Sequence, residues 1–184
     1  MVIGGAAMTA LVISDRRTSG TQLEDEGIEL RASSRLRDSV GGSTNISVSS
    51  YNRKVLLTGE VTETGARERA QEIVSRVENV QSVINEIAVT PLSTLSQRSA
   101  DTLITGKVRA SLVDARDLSA NAFRVVTARG TVYLMGRVTA READRATQIA
   151  RNVSGVSRVV RIFEVISEEE LARMSNTRAA QPAR

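Results

Sequence analysis

The chain has 184 residues, 41% hydrophobic and 25% charged, the balance of ordinary globular protein in one large domain or two small ones. It contains neither Cys nor His, which removes disulfides, thiol nucleophiles, the usual zinc ligands and imidazole general bases together. Aromatic residues make up only 2% and the formal net charge is +4, so the cores must be built from Val, Ile, Leu and Ala.

Residues 1–13 are apolar and small, from Val2 and Ile3 to Val12 and Ile13. The run is too short to span a bilayer and no basic residue precedes it, so it is not a complete signal peptide. It is expected to pack on a surface or membrane, or to follow something removed upstream. Residues 14–21 are polar and read as a linker, giving an N-terminal segment and tether over 1–21.

A first module is expected over 22–90. Ile28, Ala32 and Leu36, at i, i+4 and i+8, predict a helix over about 24–37 with one buried stripe. Gly41-Gly42 ends it. This pair is a turn and not a phosphate loop, for it lacks the GxxxxGK[ST] pattern and a preceding strand. Ile46 and Val48 alternate with polar residues as one strand, and Val55, Leu57 and Val61 mark the next. The hairpin turn between them, Tyr51-Asn52-Arg53-Lys54, has Asn52 to take a left-handed conformation. A second helix over about 64–77 turns Ala66, Ala70, Ile73, Val74 and Val77 inward, and a last strand covers about 83–89.

Residues 91–98 read as a linker. A second module over 99–167 then repeats the order: helix about 100–113, strands near 123–127 and 132–138, helix about 141–153, strand about 156–166. Its hairpin turn has Gly130 where positive φ is cheapest. Ser167-Glu168-Glu169-Glu170 suits the start of a short helix. Residues 168–184 form a polar tail, expected to be disordered from Ser175 onward.

The two modules repeat at a spacing of about 76, long enough for each to be a small domain. The fold class is α+β: two tandem αββαβ modules, each a three-stranded mixed sheet with two helices on one face. The shared core is Val55-Leu56-Leu57-Thr58-Gly59-Glu60-Val61 and Val132-Tyr133-Leu134-Met135-Gly136-Arg137-Val138. Glycine inside a strand usually marks a bulge or close backbone approach, so Gly59 and Gly136 are read as structural.

These paired Val-x-Leu-x-Gly-x-Val elements, each followed by a helix, a Val-x-x-Val and a strand, resemble the BON domain. Two such domains behind a Gly/Ala-rich start and an Asp-Arg-Arg-Thr-Ser-Gly-Thr-Gln tether are similar to the dual BON-domain outer-membrane lipoproteins of Gram-negative bacteria. That resemblance covers about residues 15–166. It implies αββαβ modules, a periplasmic location at the inner face of the outer membrane, and phospholipid binding linked to envelope integrity. The family's lipobox and acylated Cys are absent, and the resemblance puts Met1 at or near the position of that Cys.

The copies diverge in charge. Residues 22–90 hold 8 basic and 11 acidic side chains, net −3, whereas 98–166 hold 12 and 6, net +6. A basic module points to an anionic partner or simply to solubility. Aligning Ile28, Ala32 and Leu36 with Ile104, Val108 and Leu112 turns Gly27 into Leu103, Arg31 into Lys107, Ser33 into Arg109 and Arg37 into Val113. Leu103, Ala110 and Val113 then lie away from the core stripe, with Lys107 and Arg109 beside them and Arg116 just beyond.

Apolar residues ringed by cations suit a helix lying shallowly in an anionic interface. Each cation is worth on the order of 1 kcal/mol there, and each fully buried aliphatic side chain roughly 1.5–3 kcal/mol. The same residues equally suit docking against the other module or the N-terminal segment. The expected partner is an anionic phospholipid membrane containing phosphatidylglycerol or cardiolipin, with envelope proteins as the alternative on the same face. Nucleic acid is not expected, since Tyr51, Phe123, Tyr133 and Phe163 are the only aromatics and offer no stacking platform. No enzyme constellation, cofactor site or metal site is expected.

Overall fold

The computed structural model describes residues 15–41 and 43–180; the apolar run at 1–13 and Gly42 lie outside them. The chain divides into two compact units. One is Thr18–Asp101, and the other joins residues 15–17 to residues 102–180.

In the first module, α1 spans Ser19–Ser39. It starts five residues before the expected start at about 24 because Thr18 Oγ1 accepts from the Thr21 amide at 3.1 Å and caps the helix. Part of the segment expected as linker is therefore helical. Ile28, Ala32 and Leu36 are buried along one stripe. Strands β1 (Thr44–Tyr51) and β2 (Lys54–Val61) pair antiparallel.

Asn52 and Arg53 carry φ of 50° and 65° between them, the two left-handed residues of a type I′ hairpin turn. A left-handed arginine is costly, and Asp25 of α1 offsets that. Buried under the turn, it accepts from the Asn52 and Arg53 amides, both at 2.8 Å, and from Ser50 Oγ at 2.7 Å.

Helix α2 (Thr64–Ser75) buries Ala66, Ala70 and Val74. The third strand, expected as one piece, is two: β3 (Ser82–Asn85) and β4 (Ala88–Val89), each parallel to β2. The break lets Asn85 Oδ1 accept from the Ile87 amide at 3.2 Å while Ile87 enters the core.

The second module repeats the plan. Helix α3 spans Leu95–Asp114 and buries Ile104, Val108 and Leu112. It begins inside the stretch expected as linker. Thr94 Oγ1 accepts from the Gln97 amide at 3.2 Å, and Gln97 Oε1 accepts from the Thr94 amide at 2.7 Å, a reciprocal capping box legible as Thr-x-x-Gln. A short 3-10 turn, Ala120–Ala122, leads into β5 (Arg124–Ala128) and β6 (Thr131–Val138), antiparallel about a turn with Arg129 and Gly130 at φ 53° and 74°.

Helix α4 (Ala140–Arg151) opens on a capping box between Thr139 and Glu142. Strand β7 (Arg158–Val165) runs parallel to β6. The tail differs from expectation: Ser167 caps α5 (Glu168–Ala179), so Ser175 and its neighbours are helical. Three glutamates in its first turn favour the positive end of the helix dipole.

Each sheet is a mixed three-strand path with β2 or β6 central, and the αββαβ order read from the repeat holds in both copies. A Cβ at Gly59, which has φ +111°, would stand 1.8 Å from the Asn45 carbonyl oxygen, and one at Gly136 would stand 2.4 Å from that of Ala122. In both modules the strand and the backbone beside it approach too closely for any side chain. Among the described residues no helix is long and apolar enough to cross a membrane.

Candidate functional site

With Ile104, Val108 and Leu112 turned into the core, the opposite side of α3 meets solvent. Leu103 is 65% exposed and Val113 68%, and Ala110 is exposed between them. At 100° per residue the three fall within about 80° of arc. Lys107 and Arg109 are exposed on either flank, and Arg116 is exposed just past the helix end. These five apolar or cationic positions of the helix thus share one surface, and Arg116 extends it.

Lys107, Arg109 and Arg116 make no ion pair or hydrogen bond through their side chains among the described residues. Around the first module's helices the pattern differs. Arg31 pairs with Glu24 at 2.6 Å, Arg76 with Glu72 at 2.6 Å and Arg69 with Glu63 at 3.9 Å. Unpaired cations keep their full charge available to an external anion, whereas paired ones must first give up a partner.

The first module also presents apolar residues that the sequence comparison missed. Leu23 and Leu30 on α1 are 70% and 74% exposed. Their i, i+7 spacing was the available signal. Exposed Glu26 and Arg37 accompany this stripe, so it lacks the one-sided charge of the α3 face.

The segment expected as a free tether is bound to the second module. Arg16, 7% exposed, donates from Nη1 to Glu142 Oε2 at 2.6 Å and from Nη2 to Glu142 Oε1 at 2.7 Å. It also donates to the Arg137 carbonyl at 3.0 Å. Arg17 pairs with Asp15 at 2.7 Å, and Arg178 of α5 donates to the Arg17 carbonyl at 3.3 Å. Burial pushes the Glu142 carboxyl up, but the Arg16 hydrogen bonds and the Thr139 amide outweigh it and hold the group below the ordinary glutamate range. No local pattern could have found this pair, since the residues are 126 apart.

Residues 24–91 and 100–167 each match the BON domain. The chain is 34% identical over 168 residues to Outer membrane lipoprotein DolP of Haemophilus influenzae, covering 90% of this chain and 86% of that one. It is 33% identical to the 21 kDa hemolysin of Actinobacillus pleuropneumoniae, over 83% of this chain and 79% of that one. To Osmotically-inducible protein Y of Escherichia coli it is 30% identical, over 80% and 76%. The two matched spans contain the duplicated αββαβ plan, its paired glycines and the exposed α3 face, and the chain belongs to the BON domain family, with two copies of the domain.

Proposed function

We propose that this chain is a non-enzymatic phospholipid-binding protein of the cell envelope, with the α3 face of its second module as the membrane contact. The observation that carries this reading is a two-thirds exposed aliphatic pair, Leu103 and Val113, beside three cations that have no partner of their own. Lipid supplies what such a face lacks, an apolar layer at the depth of the leucine and phosphates at the depth of the cations. The likeness to a protein named Outer membrane lipoprotein supports an envelope setting. Within it the chain works in the periplasm, at the inner face of the outer membrane, and supports that membrane's integrity.

The test is binding of the full chain to phosphatidylglycerol vesicles, read by co-sedimentation and by amide NMR shifts. Wild type binds, phosphatidylcholine vesicles do not compete, and added salt weakens binding because the cations are exposed. Leu103→Glu abolishes binding, whereas Leu30→Glu, on the apolar stripe without one-sided charge, leaves it. Equal binding by wild type and Leu103→Glu would refute the assignment. A specific envelope protein captured on this face without lipid would favour a protein adaptor.

A further inference from the structure

Two grooves of different chemistry meet at the end of α4 in the second module, and one of them adjoins the α3 face. One, of about 530 Å³, lies between α3 and the end of α4, with Ala110, Ile149 and Val153 as its apolar walls and Lys107, Ser111 and Asn152 among its edges. The other, of about 640 Å³, lies between α4 and β7 and is lined by Arg145, Arg151 and Arg161 with Gln148, Thr147 and one acid, Asp144. Asn152, the C-cap of α4, borders both. An apolar trough therefore opens beside a basic one, and Ala110 belongs to both the trough and the exposed face.

The first module shows the same place in a narrower form. There the groove between α1 and α2 is about 360 Å³ and is lined by Arg35, Arg69, Glu72, Ile73 and Arg76. Arg35 donates to the Arg76 carbonyl at 3.3 Å and Arg76 pairs with Glu72 at 2.6 Å. At the repeat spacing of 76, Arg35 and Arg76 correspond to Ser111 and Asn152. The second module thus has two short side chains where the first has two arginines at the groove, one of them reaching across it.

Charge decides the orientation of an occupant. Arg145 is neutralised by Asp117 at 3.2 Å and Arg161 by Asp144 at 2.8 Å. Arg151 has no ion pair or hydrogen bond through its side chain among the described residues. One unpaired guanidinium with two amides beside it, Gln148 and Asn152, suits a single phosphodiester.

Building on the lipid-contact reading above, we infer that the second module holds one anionic phospholipid molecule individually, as well as resting on the bilayer. Its phosphate sits at Arg151 and Asn152, and an acyl chain lies over Ala110, Ile149 and Val153.

The experiment titrates full-length protein with monomeric lysophosphatidylglycerol, lysophosphatidylcholine and glycerol phosphate, reading amide shifts over residues 148–154. Lysophosphatidylglycerol shifts these amides, and the other two probes do so at least tenfold more weakly. Ser111→Arg, which carries the first module's residue into the trough, and Arg151→Gln each weaken the response at least tenfold. Unchanged β6 amide shifts report that both variants are folded, and Arg151 is exposed, so its replacement is safe in any case.

Equal lysophosphatidylglycerol affinity in wild type and both variants overturns the proposal, as does glycerol phosphate binding as well as the lysolipid. Vesicle binding by the Leu103 face is measured in parallel. If vesicles fail to bind wild type, the membrane-contact reading falls, and the shifts over 148–154 still decide the grooves. If Ser111→Arg binds vesicles and the lysolipid like wild type, the grooves fall and the face stands.

Discussion

Replacing Arg16 with Ala strips both guanidinium hydrogen bonds from a glutamate whose side chain is 4% exposed. Removing one partner of a buried pair costs about 3–5 kcal/mol, because the other charge is left without compensation. Glu142 keeps one hydrogen bond after the change, from the Thr139 amide at 2.9 Å, so the lower end applies, about 3 kcal/mol. For a domain of this size each kcal/mol moves Tm by roughly 4–8 °C, which puts the second module's transition about 12–24 °C lower.

Hydrogen exchange localises the loss: amides of β6 and α4 should lose protection while those of β2 and α2 keep theirs. Trypsin should then cut after Arg17, which docking of this segment shields. A double change, Arg16→Met with Glu142→Gln, removes both charges and keeps a side chain able to complete the capping box, so it should recover most of the stability. A loss below about 1 kcal/mol, or protection lost equally in both modules, would refute the reasoning that a buried pair fastens this segment to the second module.

Because the Glu142 carboxyl is held below its ordinary range in the folded state, its contribution is present above the unfolded-state pKa and lost as pH falls through the lower, folded one. Acid titration of second-module stability should therefore steepen below the ordinary glutamate range, and Arg16→Ala should flatten that dependence. Gly59→Ala would force a Cβ against the Asn45 carbonyl at a φ of +111°. We expect the first module to lose more than about 2 kcal/mol in urea unfolding, from strain and backbone collision together. Asp25→Ala would leave the Asn52 and Arg53 amides and Ser50 Oγ without their acceptor. Charged hydrogen bonds of this kind contribute about 1.5–3 kcal/mol each, so the first hairpin should lose exchange protection before the rest of its sheet.

Much of the architecture was legible because its causes are local. Ile28, Ala32 and Leu36 are buried on α1, and Ile104, Val108 and Leu112 on α3, as a 3.6-residue period requires once one face meets a sheet. The hairpins followed from Asn52 and from Arg129-Gly130, whose backbones are left-handed. Boundaries were less legible. Thr18 and Thr94 start their helices earlier than the apolar stripes suggest, since a cap acts a turn or more before the first buried residue. The third strand's break at Ile87 depends on one side-chain hydrogen bond from Asn85. The tail became helical through the Ser167 cap and its acidic first turn.

The sequence by itself determined the duplicated αββαβ plan, the glycines at Gly59 and Gly136 and the helix face holding Leu103, Lys107, Arg109, Ala110 and Val113, because periodicity and backbone sterics act over a few residues. Only the tertiary structure decided that Arg16 belongs with Glu142, that Asp25 secures the first hairpin, and that the second module keeps a wider groove than the first. Those outcomes depend on which distant side chains meet once the helices pack on their sheets. An ion pair or a groove of this kind has no period along the chain, so only the folded backbone brings its parts together.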